Sequence, residues 1–271
     1  MSLIDKLISK GRKIGRQIGF APLADIDRFS IDPLELTQDE RAQTDMHRLF
    51  FENDGPLVHK WVHYLSIYDR HLSRFREMPV RLLEIGIFRG GSMCLWRRYF
   101  GNAAVIFGID IDPQCAEFNG KYGKVRIGSQ ANPEFLRNVV TEMGGVDIII
   151  DDGSHNSLHQ KVSFETLFPL LDANGVYICE DLHTSYWRGH HLGGYRRRSS
   201  FIETMKNVID DLHADFHRRS SYVEGASRMI DGLHFYNSMI VVEKRPQHRP
   251  AHLMVGGKTN HFGASETSLK E

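Results

Sequence analysis

A chain of 271 residues is long enough for one large α/β domain with a small extension. Its 34 acidic and 34 basic side chains balance and 41% of its residues are apolar, so the sequence supports a sizeable core but no global field that would draw nucleic acid. The three scattered cysteines, Cys94, Cys115 and Cys179, lack metal-finger or redox spacing and fit a reducing compartment. No apolar run approaches the ~20 residues of a membrane span, so stable membrane insertion is not expected. Met1–Phe20 lacks a secretory h-region and cleavage signal, which makes the cytoplasm the expected compartment.

Met1–Gly19 places Lys6, Lys10, Arg12, Lys13 and Arg16 among Leu3, Ile4, Leu7, Ile8, Ile14 and Ile18. That pattern predicts a basic amphipathic helix, docked on its own domain or a second subunit, with membrane-surface association as the alternative. A polar connector, Asp25–Glu40, leads to a helical stretch over Asp45–Phe75. From there strands are expected at Arg81–Ile85, Ala104–Ile109, Lys124–Ile127, Asp147–Ile150 and Val176–Cys179. They alternate with helices at Ser92–Phe100, Pro133–Met143, Ser157–Leu171 and Ser199–His213. Such alternation predicts a doubly wound, mainly parallel α/β sheet. Gly232–Tyr236 and Met239–Glu243, joined at Asn237-Ser238, read as a C-terminal antiparallel hairpin, completing the seven-stranded Rossmann-like arrangement of class I methyltransferases. The expected organisation is a helical extension over 1–78, the α/β domain over 79–245 and a flexible tail over 246–271.

Glu84-Ile85-Gly86 and Gly90-Gly91-Ser92 lie between the first strand and its helix, where glycines let a ligand approach the backbone. The spacing is not the G-x-G-x-x-G of a dinucleotide binder, and Glu84 at the strand end would repel a pyrophosphate. A carboxylate there suits the ammonium and sulfonium of S-adenosylmethionine. Asp110 closes the second strand, where an acid can hold ribose hydroxyls; Asp112 competes for that role, and Ile111 can cover an adenine. Gly128-Ser129-Gln130 would flank the base.

Asp151-Asp152 and Glu180-Asp181 end two apolar runs, and His155 follows three residues after Asp152. Carboxylates at buried strand ends are costly unless a cation or hydrogen-bond donors compensate them. If neighbouring strands bring Asp152, Glu180 and Asp181 together, three oxygen donors without cysteine point to magnesium, with manganese as the alternative ion. His155 is then placed to take a proton from an acceptor hydroxyl, and Asp151 to face the methionine end of the donor. The reading demands that these strand tips converge and that arginine or lysine partners do not tie them up. The basic segment Arg188–Arg198, with His190, His191, Arg196, Arg197 and Arg198, reads as a candidate lid or a solvated loop.

Leu83-Glu84-Ile85-Gly86, Gly90-Gly91-Ser92, Gly108-Ile109-Asp110, Gly128-Ser129-Gln130, Asp151–His155 and Glu180–Trp187 together resemble the macrolide deoxysugar O-methyltransferases of the demethylmacrocin and mycinamicin type. The resemblance spans about Tyr64 to Lys244. It implies transfer of a methyl group from S-adenosylmethionine to a sugar hydroxyl, with Mg2+ on Asp152, Glu180 and Asp181 and His155 as general base. It also implies a donor site of Glu84, Gly86, Gly90, Ser92, Asp110, Ser129 and Gln130, with Tyr64 completing the pocket and Tyr186 and Trp187 against the sugar. The expected partner is a saccharide or glycosylated natural product, and the expected assembly a homo-oligomer (a dimer). The competing readings are a metal-dependent O-methyltransferase of a non-sugar small molecule and a non-catalytic donor-binding subunit.

Overall fold

Strands β1 (Arg81–Ile85), β2 (Val105–Asp110), β3 (Lys124–Ile127), β4 (Val146–Asp151), β5 (Leu171–Cys179), β6 (Ile230–Tyr236) and β7 (Met239–Lys244) form one sheet in the order β3-β2-β1-β4-β5-β7-β6. The first five are parallel, whereas β7 runs antiparallel to both β5 and β6. The chain direction reverses sides between β1 and β4, the position where doubly wound sheets open a crevice at their carboxyl ends. This computed structural model describes residues 30–188, 192–218, 220, 222–223 and 228–256. The expected amphipathic helix at 1–19, residues 189–191 of the basic segment and the tail from 257 onward lie outside the described residues.

Burial on both faces accounts for the apolar strand runs. Leu82, Ile106, Ile148, Ile150, Ile178 and Val241 pack with Tyr64, Leu65, Tyr68 and Trp96 on one side. Their strand neighbours Leu83, Phe107, Ile149, Tyr177 and Val242 pack with Leu136, Phe164 and Phe201 on the other. The helices in chain order are α1 (Gln38–Arg41), α2 (Asp45–Phe51), α3 (Val62–Leu72), α4 (Gly91–Phe100), α5 (Pro133–Met143), α6 (Ser157–Leu167) and α7 (Phe201–Leu212). Helix α5 shows why these sequences stop and start where they do. The Asn132 side chain accepts from the Glu134 and Phe135 amides, Pro133 fixes the first turn, and Gly144 ends the helix in the left-handed region at φ 76°. No helix among the described residues is long and apolar enough to cross a membrane.

Two sequence expectations need correction. The stretch Asp45–Phe75 is not one helix: residues 52–61 break it, and Asn53 Nδ2 closes the break on the Pro56 carbonyl at 3.0 Å. The helix expected over Ser157–Leu171 ends at Leu167, and β5 starts at Leu171, five residues before the strand expected at Val176. The 52–61 strap lies across the start of α4. A Cβ on Gly91 would come within 2.1 Å of the Leu57 carbonyl oxygen, so only glycine permits this crossing.

Candidate active site

A cavity of about 340 Å³ opens at the carboxyl ends of β1, β2 and β3. Gly86 lines it, and Gly90 lies behind its Phe118 wall, both with positive φ. A Cβ on Gly86 (φ +85°) would sit 2.3 Å from the Asp152 carbonyl oxygen, and one on Gly90 (φ +71°) would sit 2.7 Å from the Phe118 ring. Asp110 shapes the loop between them: its Oδ2 accepts from the Ile87 and Phe88 amides at 3.0 and 3.1 Å, and its Oδ1 from the Asp112 amide at 2.9 Å. Asp110 and Asp112 both line the cavity, as do Ser129 and Ile111, whose side chain is left 72% exposed at the mouth.

Gln130 joins this cavity to the acidic strand ends. Its Oε1 accepts from the Ser154 amide at 2.7 Å, and its Nε2 donates to Asp151 Oδ1 and to Ser163 Oγ, each at 3.0 Å. Asp151 is fully buried; Tyr177 donates to its other oxygen, and burial pushes its pKa up to about 6. Both Asp151 oxygens are therefore engaged by side chains of the fold. Glu84 is also fully buried. Trp96 Nε1 donates to its Oε1 at 2.9 Å, its Oε2 has no partner, and burial pushes its pKa up to about 7 against the charge of Lys60 and the hydrogen bonds of Trp96 and Ser92.

The parallel register of β1, β4 and β5 brings the acidic tips together, with Asp151 opposite Cys179, so that Asp152, Glu180 and Asp181 emerge side by side. The tips converge, as the sequence reading demands, but its second demand fails at two of the three acids, because a lysine ties up Asp152 and Glu180. Lys60, from the strap, donates to Asp152 Oδ2 at 2.5 Å and to Glu180 Oε1 and Oε2 at 3.0 and 2.8 Å; the Lys60 and Glu180 side chains are 2% and 1% exposed. Tyr68 OH donates to Glu180 Oε1 at 2.5 Å. Burial opposes the ammonium charge, but Asp152 and Glu180 outweigh it and hold Lys60 protonated.

Asp181 is held from the same side. Trp61 Nε1 donates to its Oδ1 at 3.1 Å, and the Tyr64 hydroxyl lies 2.9 Å from Oδ1 and 2.9 Å from the Ser238 carbonyl. Tyr64 thus braces Asp181 and does not line the cavity. His155 and Asp181 both adopt left-handed backbone, at φ 52° and 55°, a conformation non-glycine residues keep only where their surroundings impose it. It aims His155 Nε2 at Asp181 Oδ2, 3.6 Å away, and at Asp152 Oδ1, 4.0 Å away. His155 Nδ1 is buried without a partner. His159 lines the cavity with Nδ1 2.9 Å from Ser154 Oγ. Tyr186 is 44% exposed and Trp187 packs edge-on against His183.

The site suits a hard cation. One ligand atom each from Asp152, His155 and Asp181 lie within 4.8 Å of one another, and three carboxyl groups share a single ammonium; burial and the neighbouring acids raise the pKa of Asp152 and Glu180, which a divalent cation would relieve. Glu180 stands apart from that trio because Lys60 and Tyr68 take up its oxygens. Lys60, Trp61 and Tyr68 were absent from the sequence-based site. The available signal was Asn53-Asp54-Gly55-Pro56, a turn cluster that ends a helix and frees the following residues to reach elsewhere.

No protein-family model matches the chain. Its sequence is 38% identical over 196 residues to the L-olivosyl-oleandolide 3-O-methyltransferase of Streptomyces antibioticus, covering 67% of this chain and 49% of that one. It is 38% identical over 164 residues to the 8-demethyl-8-(2-methoxy-alpha-L-rhamnosyl)-tetracenomycin-C 3'-O-methyltransferase of Streptomyces olivaceus, covering 57% and 42%. The chain spans less than half the length of these relatives. Among solved structures, the MycE methyltransferase from the mycinamycin biosynthetic pathway, in complex with Mg, SAH and mycinamycin VI, superposes with a TM-score of 0.65 at 30% identity, over 76% of this chain and 55% of that one. The sheet order with its antiparallel β5-β7-β6 edge is the Rossmann-like methyltransferase fold. The homologues of this chain, in sequence and in fold, are thus the O-methyltransferases of macrolide sugars and other deoxysugars.

Proposed function

We propose that the protein transfers a methyl group from S-adenosylmethionine to a hydroxyl of a sugar, in a saccharide or a glycosylated natural product, with the help of Mg2+. The observation that carries this reading is the meeting of Asp152, His155 and Asp181 within 4.8 Å, beside a cavity whose wall continues through Gly153 and Ser154. The named relatives act on an olivosyl-oleandolide and a rhamnosyl-tetracenomycin, and the MycE complex contains Mg and SAH. The same reading takes the protein as a cytoplasmic homo-oligomer that acts without nucleic acid.

In this assignment Gly86, Gly90, Asp110, Ser129 and Gln130 hold the nucleoside end of the donor. The partnerless Glu84 Oε2, with Ser92 beside it, accepts from the donor's ammonium. Asp151 and Tyr64 serve the site by bracing Gln130 and Asp181. Asp152 and Asp181 would hold the ion through the oxygens that face His155, and Glu180 would add a third carboxylate only with Lys60 displaced from it. A bound divalent ion supplies Lewis acidity that favours loss of the acceptor's proton. His155 Nε2 takes that proton as the acceptor oxygen bonds to the methyl carbon and the sulfur retains the electrons of the broken bond. Tyr186 and Trp187 offer aromatic faces to the sugar.

A mass-spectrometric screen of oligosaccharides and glycosides with labelled donor, with and without Mg2+, tests the assignment. His155→Ala is expected to keep SAH binding and lose turnover by about 100-fold or more. Turnover that survives chelation removes the metal from the reading, and turnover unchanged in His155→Ala removes the base.

A further inference from the structure

A second cluster of metal-ligating side chains lies away from the acidic strand tips, where the end of α3 packs on the β6–β7 hairpin. His71 Nδ1 lies 3.4 Å from Glu243 Oε1, and His234 Nε2 lies 3.2 Å from Glu243 Oε2. One ligand atom from each of the three lies within 4.8 Å of the others. Tetrahedral bonds of about 2.0–2.1 Å to nitrogen and oxygen put neighbouring ligand atoms roughly 3.3–3.4 Å apart, close to the two histidine–Glu243 distances, which run to different carboxylate oxygens.

The strand register builds this cluster. His234 pairs with Val241, and Glu243, two residues on, shares its face of the hairpin. Opposite Glu243 stands Gly232, whose missing side chain leaves room for the imidazole: a Cβ there would be 3.0 Å from His234 Nε2. The Tyr236 hydroxyl lies 2.9 Å from His71 Nε2, so the ring nitrogen that does not face Glu243 is already fixed by an outer partner. Metal-bound histidines are held in this way. Arg74 holds the carboxylate through Nη1–Glu243 Oε1 at 2.9 Å and the Asn174 carbonyl through Nη2 at 3.3 Å, so a metal would have to displace this half-exposed side chain from Glu243.

From this geometry we infer that His71, His234 and Glu243 form a site for a borderline divalent transition metal, with zinc as the best match to a two-histidine, one-carboxylate set. This site is independent of the acidic one in residues and in chemistry. It would pin α3, which carries Tyr64 and Tyr68 to the acidic strand tips, onto the sheet edge.

Equilibrium dialysis of the full chain against Zn2+, followed by metal analysis, tests the inference, with Co2+ absorption as the geometric readout. The wild type and Asp152→Asn are each expected to retain an equivalent of metal, with the visible bands of tetrahedral cobalt. His234→Ala should weaken retention by at least about 10- to 100-fold. Gly232→Ala, which leaves all three donors present and crowds the ring, should weaken it in the same direction. No retention by the wild type overturns the site, as does metal that is lost in Asp152→Asn and kept in His234→Ala.

Discussion

Lys60 Nζ lies 2.8 Å from Glu180 Oε2 in a pair whose side chains are 2% and 1% exposed. Such a pair survives burial because each charge solves the other's desolvation, and removing one partner strands the other. Lys60→Met is therefore expected to cost about 3–5 kcal/mol in the presence of a chelator. It should also raise Mg2+ affinity by roughly tenfold or more, because about 1.4 kcal/mol is a factor of ten and the displaced ammonium is worth at least that much at a buried carboxylate. Urea melts in EDTA and in excess Mg2+, with calorimetric titration of the ion, measure both effects. A variant as stable as wild type in EDTA would show that Lys60 is not the resident counter-charge.

Glu84 links stability to pH. Its carboxyl stays protonated in the fold up to about pH 7, against an ordinary value of 4.5, because it is buried. Between those two values the folded state keeps a proton that the unfolded chain has released, so stability falls as pH rises through the window. At about 1.4 kcal/mol per pH unit the full effect is about 3 kcal/mol. Glu84→Gln keeps the acceptor for Trp96 without the charge, and should flatten the decline while weakening SAH binding. Denaturant melts of both proteins at pH 5 and pH 8 measure this; parallel declines would place the proton elsewhere.

The Gln130 side chain ties the loop after β3 to the strand end of β4 and to α6, through Ser154, Asp151 and Ser163. Gln130→Leu preserves the bulk and removes all three bonds, leaving buried polar groups unpaired at about 1–3 kcal/mol each before relaxation. A loss of about 2–3 kcal/mol is expected, together with weaker SAH binding, since Ser154 and Gly153 line the donor cavity. Calorimetric titration with SAH separates the two: unaltered affinity in a destabilised variant would confine Gln130 to a structural role.

The strands were legible because burial on both faces demands unbroken apolar runs, as at Val146–Ile150, and the acidic pairs were legible because they terminate such runs. The occupant of the acidic cluster was not. Lys60 is 92 residues from Asp152 and 120 from Glu180, and no local pattern marks a lysine that will be buried against acids so distant in sequence. The reading of Asp45–Phe75 as one helix hid it, because it ran through the Asn53-Asp54-Gly55-Pro56 turn that ends α2. Tyr64 shows the limit of assigning a side chain from its neighbourhood. Its helix does flank the site, yet its hydroxyl serves Asp181 and the Ser238 carbonyl of the hairpin turn.

Gly86 and Gly120 share the same backbone angle, φ +85°, and differ in what surrounds them. A Cβ at Gly120 meets nothing within 4 Å, whereas one at Gly86 meets the Asp152 carbonyl oxygen at 2.3 Å and the Gly153 Cα at 2.8 Å. Gly120→Ala therefore carries only the left-handed penalty of about 1–2 kcal/mol. Gly86→Ala carries that penalty plus the separation of two backbone segments, and should cost at least about 1 kcal/mol more. The added cost has a direction, because pushing the loop after β1 away from Asp152 widens the junction between the donor cavity and the acidic tips. Gly86→Ala should thus lose SAH affinity and Mg2+ affinity together, and Gly120→Ala should keep both. Equal destabilisation of the two variants, with ligand binding intact in each, would mean that the close approach of Gly86 to Asp152 does not hold the two halves of the site together.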